Sequence, residues 1–333
     1  MPQDHPYLHL PVPADAPFEL KPSPINGWGA FATRRIEQGA VIFSEKPLFV
    51  IPKPFEQITG WDVRLAFQKL PPRSKQNFLR LRNHASGHVA NMESVMGENS
   101  FQVASEADAE RGLRQYGMFL IHSRMNHSCV PNTKLPLTTT GAEEFRTYAV
   151  RDIAVGEEIT ICYKSDFEGR PREERHLALQ FECHCKACQL GTPYQRISDI
   201  RRRLIRAMQY LRRRKDLDGQ TDHSRSPVIA DPKLKRDAET FNIPLTSRLV
   251  YALLRIYLLE QEGLLDQLKL DSLLPTIRMI AKKFGTEENA RIARLALAKG
   301  TWVDTLCAAF EFFGRPDKEV ARVAASLRAL HEM

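Results

Sequence analysis

The sequence predicts an α+β protein: a mainly β core broken by a helical insert and followed by an α-helical C-terminal domain. Three observations carry this reading. Short β-prone runs punctuated by turn residues fill two separated stretches, 19–54 and 113–167. Apolar residues recur at helical spacing within 55–112 and again over 193–333. Three cysteines crowd into six residues between the second β-rich stretch and the helical end.

The elements follow in order. Residues 1–18, MPQDHPYLHLPVPADAPF, are proline-rich and read as a flexible, extended arm. In 19–54, Asn26-Gly27 and Gly29 mark turns, the runs Ala-Val-Ile-Phe (40–43) and Leu-Phe-Val-Ile (48–51) are β-prone, and Pro52 and Pro54 end the section. Next, Val63, Leu65, Phe67 and Leu70 precede Pro71-Pro72, while Phe78, Leu79 and Leu81 follow, which predicts two short helices broken by prolines. A polar stretch to Gly112, partly helical, closes the insert. Alternation returns in Phe-Arg-Thr-Tyr-Ala-Val (145–150), a turn is expected at Val-Gly-Glu-Glu (155–158), and Ile-Thr-Ile-Cys-Tyr (159–163) reads as a compact strand. Beyond Pro193, three sets recur at helical spacing. These are Leu204, Ile205, Met208 and Leu211; Leu249, Leu253, Leu254 and Leu258; and Ile292, Leu295, Leu297 and Trp302. The polar stretch 216–235, with two prolines, reads as a loop.

Composition bounds the function classes. The 333 residues are 43% hydrophobic, enough to fill a core. No stretch approaches the roughly 20 apolar residues of a membrane span, and the N-terminus has no basic segment followed by an apolar one, so a secretory signal is not expected. An intracellular monomer in nucleus or cytoplasm is the expectation. The net charge of +8 favours acidic partners without naming nucleic acid, and direct nucleic-acid binding is not expected to be primary. Part of that charge concentrates between Arg201 and Lys215. Such a run serves as a nuclear address, as an acidic-surface contact, or simply as a solvated helix face.

Six cysteines are present. Inside a cell disulfides are disfavoured, and Cys183, Cys185 and Cys188, spaced C-x-C-x-x-C, suit one metal ion better than bridges to one another. Structural zinc takes four tetrahedral ligands, preferably thiolates. One short turn supplies three, so a fourth must come from elsewhere. His184 reads as a bystander between two ligands, and Cys162 and Cys307 as small buried residues.

Three motifs stand together: Asn126-His127-Ser128-Cys129-Val130-Pro131-Asn132; Gly156-Glu157-Glu158-Ile159-Thr160-Ile161-Cys162-Tyr163; and Phe181-Glu182-Cys183-His184-Cys185-Lys186-Ala187-Cys188. Their order and spacing resemble SET-domain lysine methyltransferases, above all the SET-and-MYND branch and its relatives lacking the MYND finger. Gly27-Trp28-Gly29 resembles the G-x-G that opens a SET domain, and Asn99-Ser100-Phe101 the N-S-F segment after the helical insert. The resemblance covers roughly residues 19–190.

The resemblance implies a SET core split around the insert, a post-SET zinc flap at 168–192, and the helical domain at 193–333. It implies S-adenosylmethionine as methyl donor and a protein lysine, histone or non-histone, as acceptor. Tyr163 is then the catalytic phenol and also touches the cofactor. Asn126 and His127 contact the cofactor, with Asn99 and the Gly27-Trp28-Gly29 turn at its amino-acid end and Phe181 against its adenine. One structural zinc ion would be held by Cys129, Cys183, Cys185 and Cys188. Two departures qualify this. The MYND finger would follow Leu48 and bring about seven cysteines, yet the first cysteine is Cys129, so the finger and its partner-peptide binding are not expected. Relatives often place a tyrosine two residues before Phe181, where Leu179 stands here. A zinc-binding adaptor with weak catalysis and a methyltransferase for a small-molecule amine therefore remain alternatives.

Overall fold

The computed structural model describes residues 5–24, 27–81, 92–103, 114–135, 144–213, 216–217, 232–240, 242–266 and 269. The chain divides into two compact units, Met1–Ile161 and Cys162–Met333.

The first unit is built on three small sheets. β1 (Phe18–Pro22) and β2 (Trp28–Ala32) pair antiparallel, with Phe18 opposite Ala32 and Lys21 opposite Gly29. Gly27 enters β2 at φ +52°, a conformation open to glycine and costly to most side chains. On its other edge β2 pairs antiparallel with β10 (Glu158–Ile161), and β10 pairs parallel with β7 (Asn126–His127). The second sheet has the order β3 (Val41–Glu45), β9 (Phe145–Ala149), β8 (Thr133–Lys134). The third has the order β4 (Val50–Ile51), β6 (Gln115–Met118), β5 (Ser100–Val103).

Three helices form the insert: α1 (Gly60–Gln68), α2 (Pro72–Arg80) and α3 (Met92–Asn99). α1 starts on a capping box, in which the Thr59 backbone N–H donates to Asp62 at 2.9 Å and the Thr59 hydroxyl accepts from the Asp62 N–H. Lys53, 2.6 Å from the Asp62 carboxylate, together with Thr59 holds that carboxyl down to about 2. α2 begins at Pro72, where a missing N–H costs nothing. Val63, Phe78, Val95 and Met96 carry the helices into one core with Met118, Ile121, Met125, Ile159 and Ile161.

Several boundaries differ from the sequence reading. The proline-rich start, expected as a flexible arm, makes a short 3-10 turn at Pro6–His9, and Tyr7 and Leu10 are buried in the core. His5 stacks on Trp28 at 4.1 Å, which gives the arm an aromatic anchor. The last motif strand stops at Ile161, so Tyr163 lies two residues beyond it, and Glu158 belongs to the strand rather than to the turn. Helix starts at Pro232, inside the stretch read as a loop. The set Ile292, Leu295, Leu297 and Trp302 lies outside the described residues, as does Cys307.

The second unit is helical: α4 (Arg172–Leu179), α5 (Pro193–Arg213), α6 (Pro232–Glu239) and α7 (Leu245–Gln261). Leu204, Ile205, Met208 and Leu211 of α5 pack with Tyr251, Leu254 and Leu258 of α7. The arginine-rich sequence of α5 turns out to be partly internal. Arg202 is fully buried and meets the equally buried Glu262 at 3.0 Å, with Arg201 at 3.6 Å from the same carboxylate. Arg206 bridges Glu174 and Asp216. Burial alone would raise the Glu168 carboxyl, but Lys269 and Arg255 outweigh it and hold it below the usual range. Of the roles open to the run 201–215, Arg202 and Arg206 thus serve internal ion pairing. Among the described residues, no helix is long and apolar enough to cross a membrane.

Glu262→Ala strands the buried Arg202 guanidinium. Removing one member of a buried pair costs about 3–5 kcal/mol. Urea denaturation followed by helical circular dichroism is expected to show that loss, whereas Arg202→Met with Glu262→Leu together should recover most of it. A Glu262→Ala protein as stable as the parent would show that the pair contributes nothing.

Candidate functional site

In the first unit, the Gly27-Trp28-Gly29 segment, Asn126 and His127 meet at the junction of β2, β7 and β10, whereas Asn99 stands apart from it at the end of α3. Parallel pairing sets Thr160 opposite Asn126 and Ile161 opposite His127, so two motifs some thirty residues apart lie side by side. The Asn126 amide donates to Glu158 Oε1 at 2.6 Å and to the Trp28 carbonyl at 3.3 Å. Ser23 donates to the other Glu158 oxygen at 3.0 Å. Gly29 is what makes room: a Cβ there would stand 2.2 Å from Glu158 Oε1 and 3.1 Å from the Asn126 amide nitrogen. Gly29, expected from sequence at a turn, lies within β2 and there admits a carboxylate that holds Asn126 against that strand.

Asn132, the last residue of its motif, acts as a bracket. Its amide donates to the Glu158 carbonyl at 2.8 Å, and its oxygen accepts the Thr160 N–H at 2.8 Å. A side chain thus supplies β10 with backbone-like partners. His127 is buried, with Nε2 3.3 Å from the sulfur of buried Cys129. Asn99 is fully buried at the end of α3. It donates to the Val95 carbonyl at 2.8 Å and accepts from Arg124, whose guanidinium lies over the Tyr7 ring at 4.3 Å.

The segment of chain that precedes Asn126 is held by a carboxylate. Glu45 accepts the backbone N–H groups of Leu120, Ile121 and His122 at 2.7, 2.9 and 2.8 Å, and pairs with His122 Nδ1 at 2.7 Å. The far nitrogen of His122 meets the Thr147 hydroxyl at 2.7 Å, and Phe43 stacks on the ring at 4.1 Å. Three amides on one carboxylate make a tight anion cradle for the turn that leads into β7.

In the second unit, Tyr163 follows β10 by two residues and is 44% exposed. Phe181 is 37% exposed. It follows Gln180, whose left-handed φ of +61° ends α4 and turns the chain away from the helix. Leu179, in the position where relatives often have tyrosine, is the last residue of α4 and half-buried. The sulfurs of Cys183, Cys185 and Cys188 lie within 4.8 Å of one another. Cys183 and Cys188 are buried and Cys185 half-buried. A tetrahedral zinc with sulfurs at about 2.3 Å would separate ligand atoms by roughly 3.8 Å, so this donor set fits a soft divalent cation. Cys162 is half-buried, and its thiol points to the Lys164 carbonyl at 3.2 Å.

Sequence reasoning passed over Glu158, Asn132, Glu45 and Arg124. Glu158 and Asn132 sit inside quoted motifs, so their presence was visible. Their roles depend on strand pairing between distant segments, which no local pattern encodes.

Residues 27–164 match the family model of the SET domain, and the chain thus carries a SET domain with an α+β fold. The protein of Schizosaccharomyces pombe named histone-lysine N-methyltransferase set5 is 31% identical over 192 residues, which cover 56% of this chain and 56% of that protein. Human histone-lysine N-methyltransferase SMYD3 is 37% identical over 93 residues, covering 27% of this chain and 20% of that one. The Danio rerio protein-lysine N-trimethyltransferase SMYD5 is 39% identical over 77 residues, covering 22% and 18%. The chain spans little more than half the length of the first of these relatives and a fifth or less of the other two.

Gly29→Ala forces a methyl group onto the Glu158 carboxylate and should push it off Asn126. Overpacking of this kind costs about 1–3 kcal/mol. Chemical denaturation is expected to show that loss, and Gly29→Ala with Glu158→Ala together should lose less than the sum of the two single changes. Additive losses would mean that the two residues do not share the space.

Proposed function

We propose that this SET-domain chain is an S-adenosylmethionine-dependent methyltransferase whose acceptor is the ε-amine of a protein lysine. The observation that supports it most is the meeting of the Asn126-His127 and Glu158–Ile161 segments with Gly27-Trp28-Gly29. Asn126 and His127 stand in a strand parallel to that of Glu158, and Asn126 is tied to the Gly27-Trp28-Gly29 turn through Glu158 and the Trp28 carbonyl. The names of the relatives point to histone or other protein lysines as the acceptor class.

Bound S-adenosylmethionine supplies an electrophilic methyl group on a sulfonium. The chain's part is to bind it, to position a neutral amine and to keep water away. Deprotonating lysine, with a pKa near 10.4, costs about 4.6 kcal/mol at pH 7, and apolar surroundings lower that cost. In this reading Asn126 and His127 hold the cofactor, with Asn99 and the Gly27-Trp28-Gly29 turn at its amino-acid end and Phe181 against its adenine. Tyr163 orients the attacking nitrogen with its phenol and also touches the cofactor, and holding the reactants in line supplies much of the rate. Cys183, Cys185 and Cys188 hold one structural zinc ion, with Cys129 as fourth ligand. Thiolate coordination of that kind contributes roughly 10–16 kcal/mol in small peptides, enough to order a segment without a large apolar core.

Leu179 favours a second reading, a zinc-binding adaptor that keeps the fold but turns over slowly, because a half-buried leucine stands where relatives often place a tyrosine.

One measurement tests the metal that both readings share, and two separate the readings. Metal analysis of purified protein is expected to find about one zinc per chain, and Cys185→Ser should lower it; protein without zinc overturns the metal assignment. Saturating S-adenosylmethionine is expected to raise the melting temperature by linkage, and Asn126→Ala to diminish that rise; an unmoved melting curve removes the enzyme reading. With a labelled methyl donor and an acceptor found among proteins, peptides and small amines, Tyr163→Phe should cut turnover at least roughly a hundredfold, as for the loss of one preorganised polar group. Cofactor affinity should hardly change. Normal binding with parental turnover would assign the chemistry to another group.

A further inference from the structure

The C-x-C-x-x-C knuckle is gripped at both ends by one face of α4. His176 accepts the Cys183 backbone N–H at 3.3 Å. Arg172 donates through Nε to the Cys188 carbonyl at 2.8 Å. Arg175, fully buried, donates through one nitrogen to the Ala187 carbonyl at 2.9 Å and to the Cys188 sulfur at 3.3 Å. Its other terminal nitrogen donates to the Arg170 carbonyl at 2.6 Å. Positions 172, 175 and 176 are three and four residues apart, so a single turn of helix aims all three at the knuckle. Asp199 of α5 steadies this face of α4: it accepts the backbone N–H of Arg172 at 2.7 Å and stands 3.5 Å from the Arg175 guanidinium. Gln195, one turn earlier on α5, donates to the far oxygen of Asp199 at 2.6 Å.

A divalent cation with three or four thiolates carries net negative charge, and burying that charge is costly unless a cation answers it. A guanidinium that donates to one of the sulfurs does so with a charge-assisted hydrogen bond, and its planar fork fixes the turn at the same time. We propose that Arg175 is a positioning residue of the metal site, whose guanidinium donates to the Cys188 thiolate, offsets the charge of the metal–thiolate cluster and sets the geometry of its last ligand. The inference rests on the zinc reading above and adds to it which residue outside the ligand set tunes the site.

The test uses the full chain and zinc itself. Competition with a chromophoric chelator first measures the parent against a variant with all three knuckle cysteines changed to serine. A parent that holds zinc no better than that variant ends the zinc reading and this inference with it. Given a parent that binds, Arg175→Met is expected to weaken zinc about 10- to 100-fold, the usual effect of losing a partner that orients a ligand. In cobalt-loaded protein, the thiolate-to-metal charge-transfer band should also move to lower energy, because the sulfur lone pair is no longer stabilised by an N–H. Arg172→Met, which loses a contact to the Cys188 carbonyl and not to its sulfur, should leave the band in place. Should the methionine variant not fold, Arg175→Gln takes its part, with the same changes in smaller measure. A folded Arg175 variant with parental affinity overturns the proposal, and so does one with weakened zinc but an unmoved band, which would reduce Arg175 to packing.

Discussion

The first unit depends on one pairing, that of β7 with β10. These strands are two and four residues long, and they run parallel, a geometry that cannot be closed by a tight turn. The chain between them, through β8 and β9, makes the long return that a parallel pair requires. Once the pair is set, β10 carries Glu158 to β2, and Gly29 leaves space for the carboxylate to meet Asn126. Such short strands have little pairing energy of their own, and side chains stabilise them. Asn132 supplies hydrogen bonds to β10 where a neighbouring strand would, and Glu45 collects the three amides that lead into β7. Polar groups buried in this way contribute only when each is satisfied, and these are paired repeatedly.

The second unit solves a different problem with charge. A helix as basic as α5 would be expected to face water on most of its surface, yet several of its arginines point to carboxylates within the same unit. The same device reaches the cysteine knuckle, where Arg172 and Arg175 of α4 hold the turn and Asp199 of α5 holds the start of α4 and the Arg175 guanidinium. The cysteine knuckle is thereby tied to the first long helix that follows it, and the order of one supports the order of the other. Apolar packing between α5 and α7 completes the unit.

Much of this was legible in the residues. The β-rich stretches, the two proline-separated helices of the insert and the apolar stripe of α5 follow from periods of 2.0 and 3.6 and from proline chemistry, all local properties. The three clustered cysteines marked a candidate metal site through spacing alone. Less legible were the ends of elements. Ile-Thr-Ile-Cys-Tyr reads as an unbroken strand, but pairing stops at Ile161 because β7, its partner, is only two residues long. The arm looked loose because prolines deny it hydrogen bonds, yet Tyr7 and Leu10 find room in the core.

The chain's local chemistry decided which segments become strand, helix and knuckle, since propensity, turn residues and ligand spacing act over a few positions. Which charges are structural was decided only by the fold. Nothing in the neighbourhood of Glu158 distinguishes it from Glu157, yet Glu158 receives Asn126 and Ser23 while Glu157 takes Arg151 on a more exposed edge. Likewise Arg202 and Arg203 are adjacent and chemically identical, but a helix turns each residue by about 100°, and one faces buried Glu262 while the other faces solvent. Partners sixty residues apart meet only when the helices pack, and that meeting, rather than any local pattern, separates a buried ion pair from a solvated side chain.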